Sequence, residues 1–243
     1  MAKEIFNRFE IKFQMDTEKY QKLMDRIEPH FITDAYGDED GFYSVSNLYF
    51  DTHDNFFHEQ NINREVFRQK LRIRVYGDVE LEDNCFVEIK KKYKGVSNKR
   101  RTGMRLCDAY RFLEMFDCTG DCDINFSNTL VMKEINHFRN FYSLKPKEVI
   151  SYDRKALYGK DDLDLRVTFD KNLRKREDDF RLESRGKGDL FMPCDCVMME
   201  VKVSECIPLW FVKVLNEFEL VGGKFSKYST AVTRSDFDNN LVV

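Results

Sequence analysis

The chain has 243 residues, of which 42% are hydrophobic and 14% aromatic, so it has enough apolar side chains for a folded core and too many for a disordered protein. Charged residues make up 34%, yet the formal net charge is only −3, so any cationic site is local and nucleic acid is disfavoured as a partner. No apolar run is long enough to span a bilayer and no secretory signal is recognisable, so we expect a cytoplasmic protein without a membrane span of its own.

Neither a linker nor a fixed-period repeat divides the sequence, and we predict a single domain over residues 1–243. The seven cysteines, an odd number, fit a reducing compartment. Cys118 with Cys122, and Cys194 with Cys196, are close enough in sequence to suggest metal ligands, but neither pair has a second pair or a histidine at zinc-site spacing. Free thiols are the simpler interpretation.

Strict alternation of apolar and polar residues predicts β-strands, and apolar residues three or four apart predict helices. In chain order, these patterns predict a strand at 8–13, a helix capped by Thr17, strands at 47–51, 70–75 and 86–92, helices at 108–116 and 128–142, strands at 149–155, 163–170 and 197–203, and a helix with Pro208 in its first turn. The residues expected to face inward on the helix at 128–142 are Leu130, Val131, Ile135, Phe138 and Phe141. The aromatic stripe that includes Trp210 on the last helix is interpreted as core.

The polar faces of three predicted strands carry the same small pattern, a glutamate and a lysine two residues apart. The pairs are Glu10 and Lys12, Glu88 and Lys90, and Glu200 and Lys202. If these faces line the inside of a closed antiparallel barrel, the crowded cations require a bound polyanion, and the glutamates would serve a divalent metal. The alternative is a sandwich with solvated charged faces, and alternation alone slightly favours it because that arrangement is common.

Short motifs in a fixed order add a second observation. Residues 47–52, Asn-Leu-Tyr-Phe-Asp-Thr, resemble a segment of the triphosphate tunnel metalloenzymes, the CYTH-like superfamily. The accompanying motifs are Glu-Ile-Lys at 10–12, Leu-Arg-Ile-Arg at 71–74, Val-Glu-Ile-Lys at 87–90, Tyr-Asp-Arg at 152–154, Leu-Arg-Val-Thr-Phe-Asp at 165–170, Met-Glu-Val-Lys at 199–202 and Lys-Phe-Ser-Lys-Tyr at 224–228. Together they resemble the polyphosphate polymerase branch of that superfamily, the catalytic domain of the vacuolar transporter chaperone (VTC) complex, over almost the whole chain.

The resemblance implies an α+β fold in which a closed antiparallel β-barrel forms a tunnel flanked by helices. It also implies an ATP-dependent polyphosphate polymerase, a phosphotransferase that passes the γ-phosphate of ATP to a growing inorganic polyphosphate chain with Mn²⁺ or Mg²⁺ as cofactor. The residues that would bind phosphate are Lys12, Arg72, Arg74, Lys90, Lys99, Arg101, Arg166, Lys224 and Lys227. The catalytic residues among them would be Arg72, Arg74, Lys90, Arg166 and Lys227, and the metal ligands would be Glu200, assisted by Glu10 and Glu88.

Two other functions stay open at this point. A tunnel hydrolase that cleaves tripolyphosphate or a nucleoside triphosphate needs the same cations. A non-catalytic polyphosphate-binding module is less favoured, because an anion sensor has no evident use for the Glu200 carboxylate on its binding wall. The sequence does not specify the metal, the length of the product, the oligomeric state or a membrane partner.

Overall fold

The structure, a computed structural model, describes residues 5–94, 96–115, 124–162, 164–184 and 188–240. These residues form ten strands and six helices. The strands are β1 (Ile5–Asp16), β2 (Phe31–Thr33), β3 (Phe42–Asp51), β4 (Phe67–Tyr76), β5 (Asn84–Tyr93), β6 (Val96–Arg105), β7 (Lys145–Gly159), β8 (Arg166–Arg176), β9 (Asp189–Leu190) and β10 (Cys196–Val203). The helices are α1 (Thr17–Ile27), α2 (Phe56–Ile62), α3 (Leu106–Phe112), α4 (Thr129–Tyr142), α5 (Leu209–Glu217) and α6 (Lys227–Asn240), with a 3-10 turn at Glu28–His30.

The strands form one antiparallel sheet in the order β2-β7-β3-β4-β5-β6-β1-β10-β8-β9. Within the described residues β2 and β9 each pair along one side only, so the ten-stranded sheet as a whole is not the closed barrel that was predicted. β7, however, is 15 residues long and pairs with β3 along one edge and with β8 along the other. The eight strands from β7 round to β8 therefore enclose a tunnel, and the predicted α+β, antiparallel fold with flanking helices is confirmed.

The apolar faces of the strands point outward and lie beneath helices. One buried cluster joins Leu71, Ile73 and Val75 of β4 to α2, α3 and α4. A second joins Val167 of β8 and Val201 of β10 to α1 and α5. Because side chains alternate across a strand, the charged residues that stand between these apolar ones face the inside of the sheet. This arrangement rules out the sandwich alternative, in which the charged faces would be solvated.

The helices differ from prediction in several places. The cap of α1 is Asp16 rather than Thr17, since the Asp16 carboxylate accepts a 2.7 Å hydrogen bond from the backbone N–H of Lys19. On α4, Leu130 and Phe141 are 78% and 70% exposed, so their predicted inward orientation is wrong. Helix α3 begins at Leu106, before the predicted start, and residue 116 of that prediction lies outside the described residues.

The helix α6 was not predicted, and it contacts the inner side of the sheet instead of the outer side. Tyr228, Ala231 and Val232 of this helix are buried against a third cluster that includes Tyr49 of β3 and Tyr152 of β7. The helix therefore fills one side of the tunnel and brings the segment before it among the inward-facing charges. None of the helices within the described residues has the length and apolarity needed to cross a membrane.

Candidate functional site in the tunnel

The inner faces of the strands carry a large excess of positive charge. The inward-facing cations include Lys12, Lys70, Arg72, Arg74, Lys90, Lys99, Arg101, Arg154, Arg166 and Lys202, joined by Lys227 of α6. They outnumber the inward-facing carboxylates, which are Glu10, Glu88, Glu148, Asp170 and Glu200. Like charges at this density repel one another unless an anion lies among them. The tunnel is therefore suited to a polyanion.

Glu88 holds one group of these cations in place. Its Oε2 atom accepts hydrogen bonds of 2.8 and 2.6 Å from Nε and Nη2 of Arg72, and its Oε1 atom accepts one of 3.2 Å from Nζ of Lys99. Burial raises the pKa of the Glu88 carboxyl, but Arg72, Arg74 and Lys99 lower it by more, and the resulting pKa lies well below the ordinary value. Glu88 is thus an anion that fixes Arg72 against β5.

Asp170 likewise holds two cations in place at another position on the tunnel wall. Its two oxygens accept hydrogen bonds of 2.6 and 2.8 Å from Nε and Nη2 of Arg154, and Nζ of Lys227 lies 2.6 Å from Oδ2. Burial lowers the pKa of the Lys227 ammonium and Asp170 raises it by more, so Lys227 is held in its charged form. The hydroxyl of Tyr152 lies near these cations: burial raises its pKa, Arg154 and Arg74 lower it, and the result is about 8.

Glu10 and Glu200 lie on neighbouring strands and on the same face. Nζ of Lys90 reaches past β6 to Oε2 of Glu10 at 2.6 Å, while Glu200 lies 3.0 Å from Nζ of Lys202 and 3.9 Å from Nζ of Lys12. Burial raises the pKa of each carboxyl and the surrounding lysines lower it, with a net pKa below the ordinary value for both. Both groups are therefore carboxylates at neutral pH, with lysine ammonium groups close to them.

The segment before α6 crosses this charged region. Lys12 donates a 2.9 Å hydrogen bond from Nζ to the backbone oxygen of Phe225, and Lys70 donates one of 2.6 Å to Oγ of Ser226. Tyr228 follows, and its hydroxyl donates to the buried carboxylate of Asp51 at 2.6 Å. Two lysines of the wall are thus held by backbone or hydroxyl oxygen, which are weaker partners for an ammonium than phosphate is.

Two inward-facing polar atoms of β8 have no hydrogen-bond partner within the described part of the chain. They are Oγ1 of Thr168, whose residue is 0% exposed, and Nε of Arg166. Both belong to β8, beside Glu200 and Lys202 of β10. Buried polar atoms are normally satisfied, so these two indicate a place where an oxygen-rich ligand or water completes the wall.

Comparison with known proteins agrees with this geometry. A family model, the VTC domain, matches residues 7–235. The chain belongs to the VTC domain family. The predicted VTC-type domain is therefore confirmed.

Solved structures share the fold of this VTC domain. One is a candidate adenylate cyclase from Bacillus halodurans, with 16% identity, a TM-score of 0.56, and coverage of 92% of this chain and 96% of that one. Another is a candidate adenylyl cyclase from Hippeastrum, described as having a dominant triphosphatase activity, with 15% identity, a TM-score of 0.50 and coverage of 95% of both chains. At such identities the likeness shows the fold alone. No curated protein matches the chain.

The structure brings most of the predicted site residues of this VTC domain together. Arg101 lies at the edge of the charged region, where its guanidinium carbon is 4.3 Å from the centre of the Phe86 ring. Lys224 is exposed to solvent, and its predicted role in closing the site stays a prediction. The others lie on the tunnel wall or, for Lys227, at the start of α6.

Sequence reasoning did not assign a role to four residues that the structure places in the site: Lys70, Arg154, Asp170 and Lys202. Lys70 and Lys202 could have been found from alternation, because they share a strand face with Arg72 and Glu200. Arg154 and Asp170 both lie within quoted motifs, but their pairing joins β7 to β8 and required the strand order. A salt bridge between two strands leaves no local signal in the sequence.

The residues that could hold a divalent metal are fewer than predicted. No three of the histidine, cysteine, aspartate and glutamate side chains in the described ranges gather into a cluster that could hold a metal alone. Glu10 and Glu200 fit a site in which one or two carboxylates act with substrate phosphates, as Mg²⁺ sites often do. Glu88 fits poorly, because Arg72 and Lys99 already occupy its oxygens. Cys194 and Cys196 are free thiols, and Cys118 and Cys122 lie outside the described residues.

Proposed function

We propose that this VTC domain is a polyphosphate polymerase that transfers the γ-phosphate of ATP to the end of a growing inorganic polyphosphate chain inside the tunnel. The observation that carries the proposal is the convergence of half-buried lysines and of half-buried or buried arginines on an enclosed space that has too few carboxylates to balance them. Burial and the neighbouring lysines lower the pKa of Lys70 well below its ordinary value, and the pKa of Lys12 is lowered to about 8. A bound polyphosphate would relieve both effects.

Phosphoryl transfer needs positioning and charge neutralisation more than covalent chemistry. Arg72 and Arg74 are fixed by Glu88 and by Asn47, whose side-chain oxygen accepts a 2.8 Å hydrogen bond from Nε of Arg74. Such fixed guanidinium groups can each present parallel N–H groups to one phosphate. Lys12 and Lys70 are mobile point charges, and we expect them to leave Phe225 and Ser226 for the phosphates of the substrate.

The attacking group would be the terminal phosphate of the growing chain. It is already anionic near neutral pH, so the reaction needs no general base. Lys227, kept charged by Asp170, and Arg154 beside it would neutralise charge on the transferred group. Glu200 and Glu10 would hold a divalent metal, which would supply further neutralisation of the phosphate charge. We propose Glu88 as the anchor of Arg72 rather than as a third ligand.

The test is incubation of the purified protein with ATP and Mn²⁺, following ADP release and the appearance of long polyphosphate on a gel. We expect both products, and their loss in Glu200→Ala and Arg72→Ala. Arg26→Ala is the matched control, because Arg26 is an exposed arginine on α1, 3.6 Å from Glu217. ADP and free phosphate without polymer would contradict the polymerase.

Hydrolysis of ATP or tripolyphosphate is the second candidate, and one observation favours it. The segment before α6 crosses the tunnel at Lys12 and Lys70, which leaves less length for a long chain than an open tunnel would. A short substrate would need less of the tunnel than a long chain, and so less movement of this segment. Free phosphate as the main product would favour the hydrolase, whereas binding of tripolyphosphate without turnover would favour the binding module.

A further inference from the structure

The two ends of the tunnel differ in their aromatic side chains. At the end covered by α6, Tyr228 stacks on Tyr49 with ring centres 5.0 Å apart, and these residues are only 1% and 6% exposed. At the other end, Tyr76 is 39% exposed and lies between Tyr43 and Phe86, with 6.1 Å between neighbouring ring centres. We call Tyr43, Tyr76 and Phe86 the aromatic mouth.

The aromatic mouth is continuous with the charged wall. Tyr76 lies two residues beyond Arg74 on the same face of β4, and Phe86 lies two residues before Glu88 on the same face of β5. Phe86 is also the direct cross-strand neighbour of Arg74, and Tyr43 is that of Arg154. Since two residues of a strand span about 7 Å, the aromatic rings lie about 7 Å along the tunnel from the nearest charged groups on the same strands.

This order of groups matches one class of ligand. A nucleoside triphosphate is an anion at one end and a flat aromatic base at the other, whereas inorganic tripolyphosphate is an anion throughout. Aromatic side chains bind bases by stacking, and arginine adds a cation–π contribution. Arginines already lie against the mouth, with the guanidinium carbon of Arg74 at 5.9 Å from the Tyr76 ring centre and that of Arg101 at 4.3 Å from the Phe86 ring centre.

We infer that the aromatic mouth is the nucleobase subsite of this VTC domain. The nucleotide then lies with its base outward at Tyr76 and Phe86 and its terminal phosphate inward, towards Lys12 and Glu200. The inference rests on the proposed function, because it requires a triphosphate in the charged tunnel. It adds which side chains bind the base of the nucleotide, and it fixes the direction in which the donor lies.

The experiment compares two probes, the non-hydrolysable analogue adenosine 5′-(β,γ-imido)triphosphate and inorganic tripolyphosphate, by isothermal titration calorimetry. Tyr76→Ala should weaken binding of the nucleotide analogue about 5- to 100-fold and leave tripolyphosphate affinity within about twofold. Phe86→Leu, which keeps apolar volume in case Phe86→Ala does not fold, should show the same selective loss to a smaller degree. Tyr36→Ala is the matched control, because Tyr36 is 84% exposed and lies outside the mouth.

The outcomes separate the subsite from the proposed function. Equal losses for both probes, or no loss for either, would overturn the subsite even if the wild-type protein makes polyphosphate. A selective loss for the nucleotide supports the subsite even if the turnover product is free phosphate. If the wild-type protein binds neither probe, both the proposed function and the subsite fail.

Discussion

Replacement of Glu88 by glutamine tests the electrostatic account of the tunnel most directly. Glu88 is 0% exposed and faces Arg72, Arg74 and Lys99, whose nearest nitrogens lie 2.6, 3.9 and 3.2 Å from its oxygens. Glutamine keeps the shape and removes the charge, so three cations lose the charge of a close carboxylate. Removing one partner of a buried ion pair costs about 3–5 kcal/mol. For a chain of this size that is a fall of about 6–20 °C in Tm.

The assay is urea denaturation of Glu88→Gln followed by circular dichroism, with and without tripolyphosphate. The same substitution at Glu18, whose side chain is 79% exposed and paired with Lys22 on the surface of α1, is the control and should leave the unfolding midpoint unchanged. Tripolyphosphate should stabilise Glu88→Gln more than the wild type, because the anion replaces the missing charge. A loss below about 1 kcal/mol, combined with loss of metal-dependent activity, would refute this reasoning and return Glu88 to the metal ligands.

Three further results are expected. Burial lowers the pKa of Lys99 from 10.5 to about 7, so between these pH values the unfolded chain binds one more proton than the folded chain. The free energy of unfolding without ligand should therefore rise with pH in that window, and Lys99→Met should flatten the rise. Over the same window tripolyphosphate affinity, measured by calorimetry, should fall as Lys99 loses its charge, and unchanged affinity would contradict a role for Lys99 in binding. Tyr228→Phe should destabilise the protein by about 1–3 kcal/mol in chemical denaturation, because it removes a donor from the buried Asp51 carboxylate, whereas Tyr36→Phe should not.

The sequence was sufficient to predict which residues share a strand face, but it left open on which side of the sheet that face lies. Alternation in β4 placed Arg72 and Arg74 together opposite Ile73, and the structure agrees. Whether the charged side is inside depends on the ladder between β7 and β8, which joins segments with no local pattern in common. The ordered motifs were therefore needed to favour the tunnel over the sandwich.

The helices show a different limit of sequence reasoning. The spacing in α4 predicted the helix correctly, but Leu130 and Phe141 lie at the margin of the apolar stripe and face solvent. Helix α6 was missed because its buried residues, Tyr228, Ala231 and Val232, stand among serine, threonine and charged residues and form no wide apolar face. Its position follows from specific contacts such as Tyr228 to Asp51, which only the folded chain brings together.

The double pairing of β7 also bears on aggregation. A strand whose backbone N–H and C=O groups are unpaired along one edge is a template on which another chain can add. Because β7 continues the sheet from β3 to β8, this long strand is paired along both edges for much of its length. Among the strands described, the edges that end the sheet belong to β2 and β9, which are three and two residues long. Such short edges offer few backbone donors and acceptors to another chain. The β7–β8 ladder that encloses the charged lumen therefore also protects a sheet rich in valine, isoleucine and phenylalanine from edge-to-edge association.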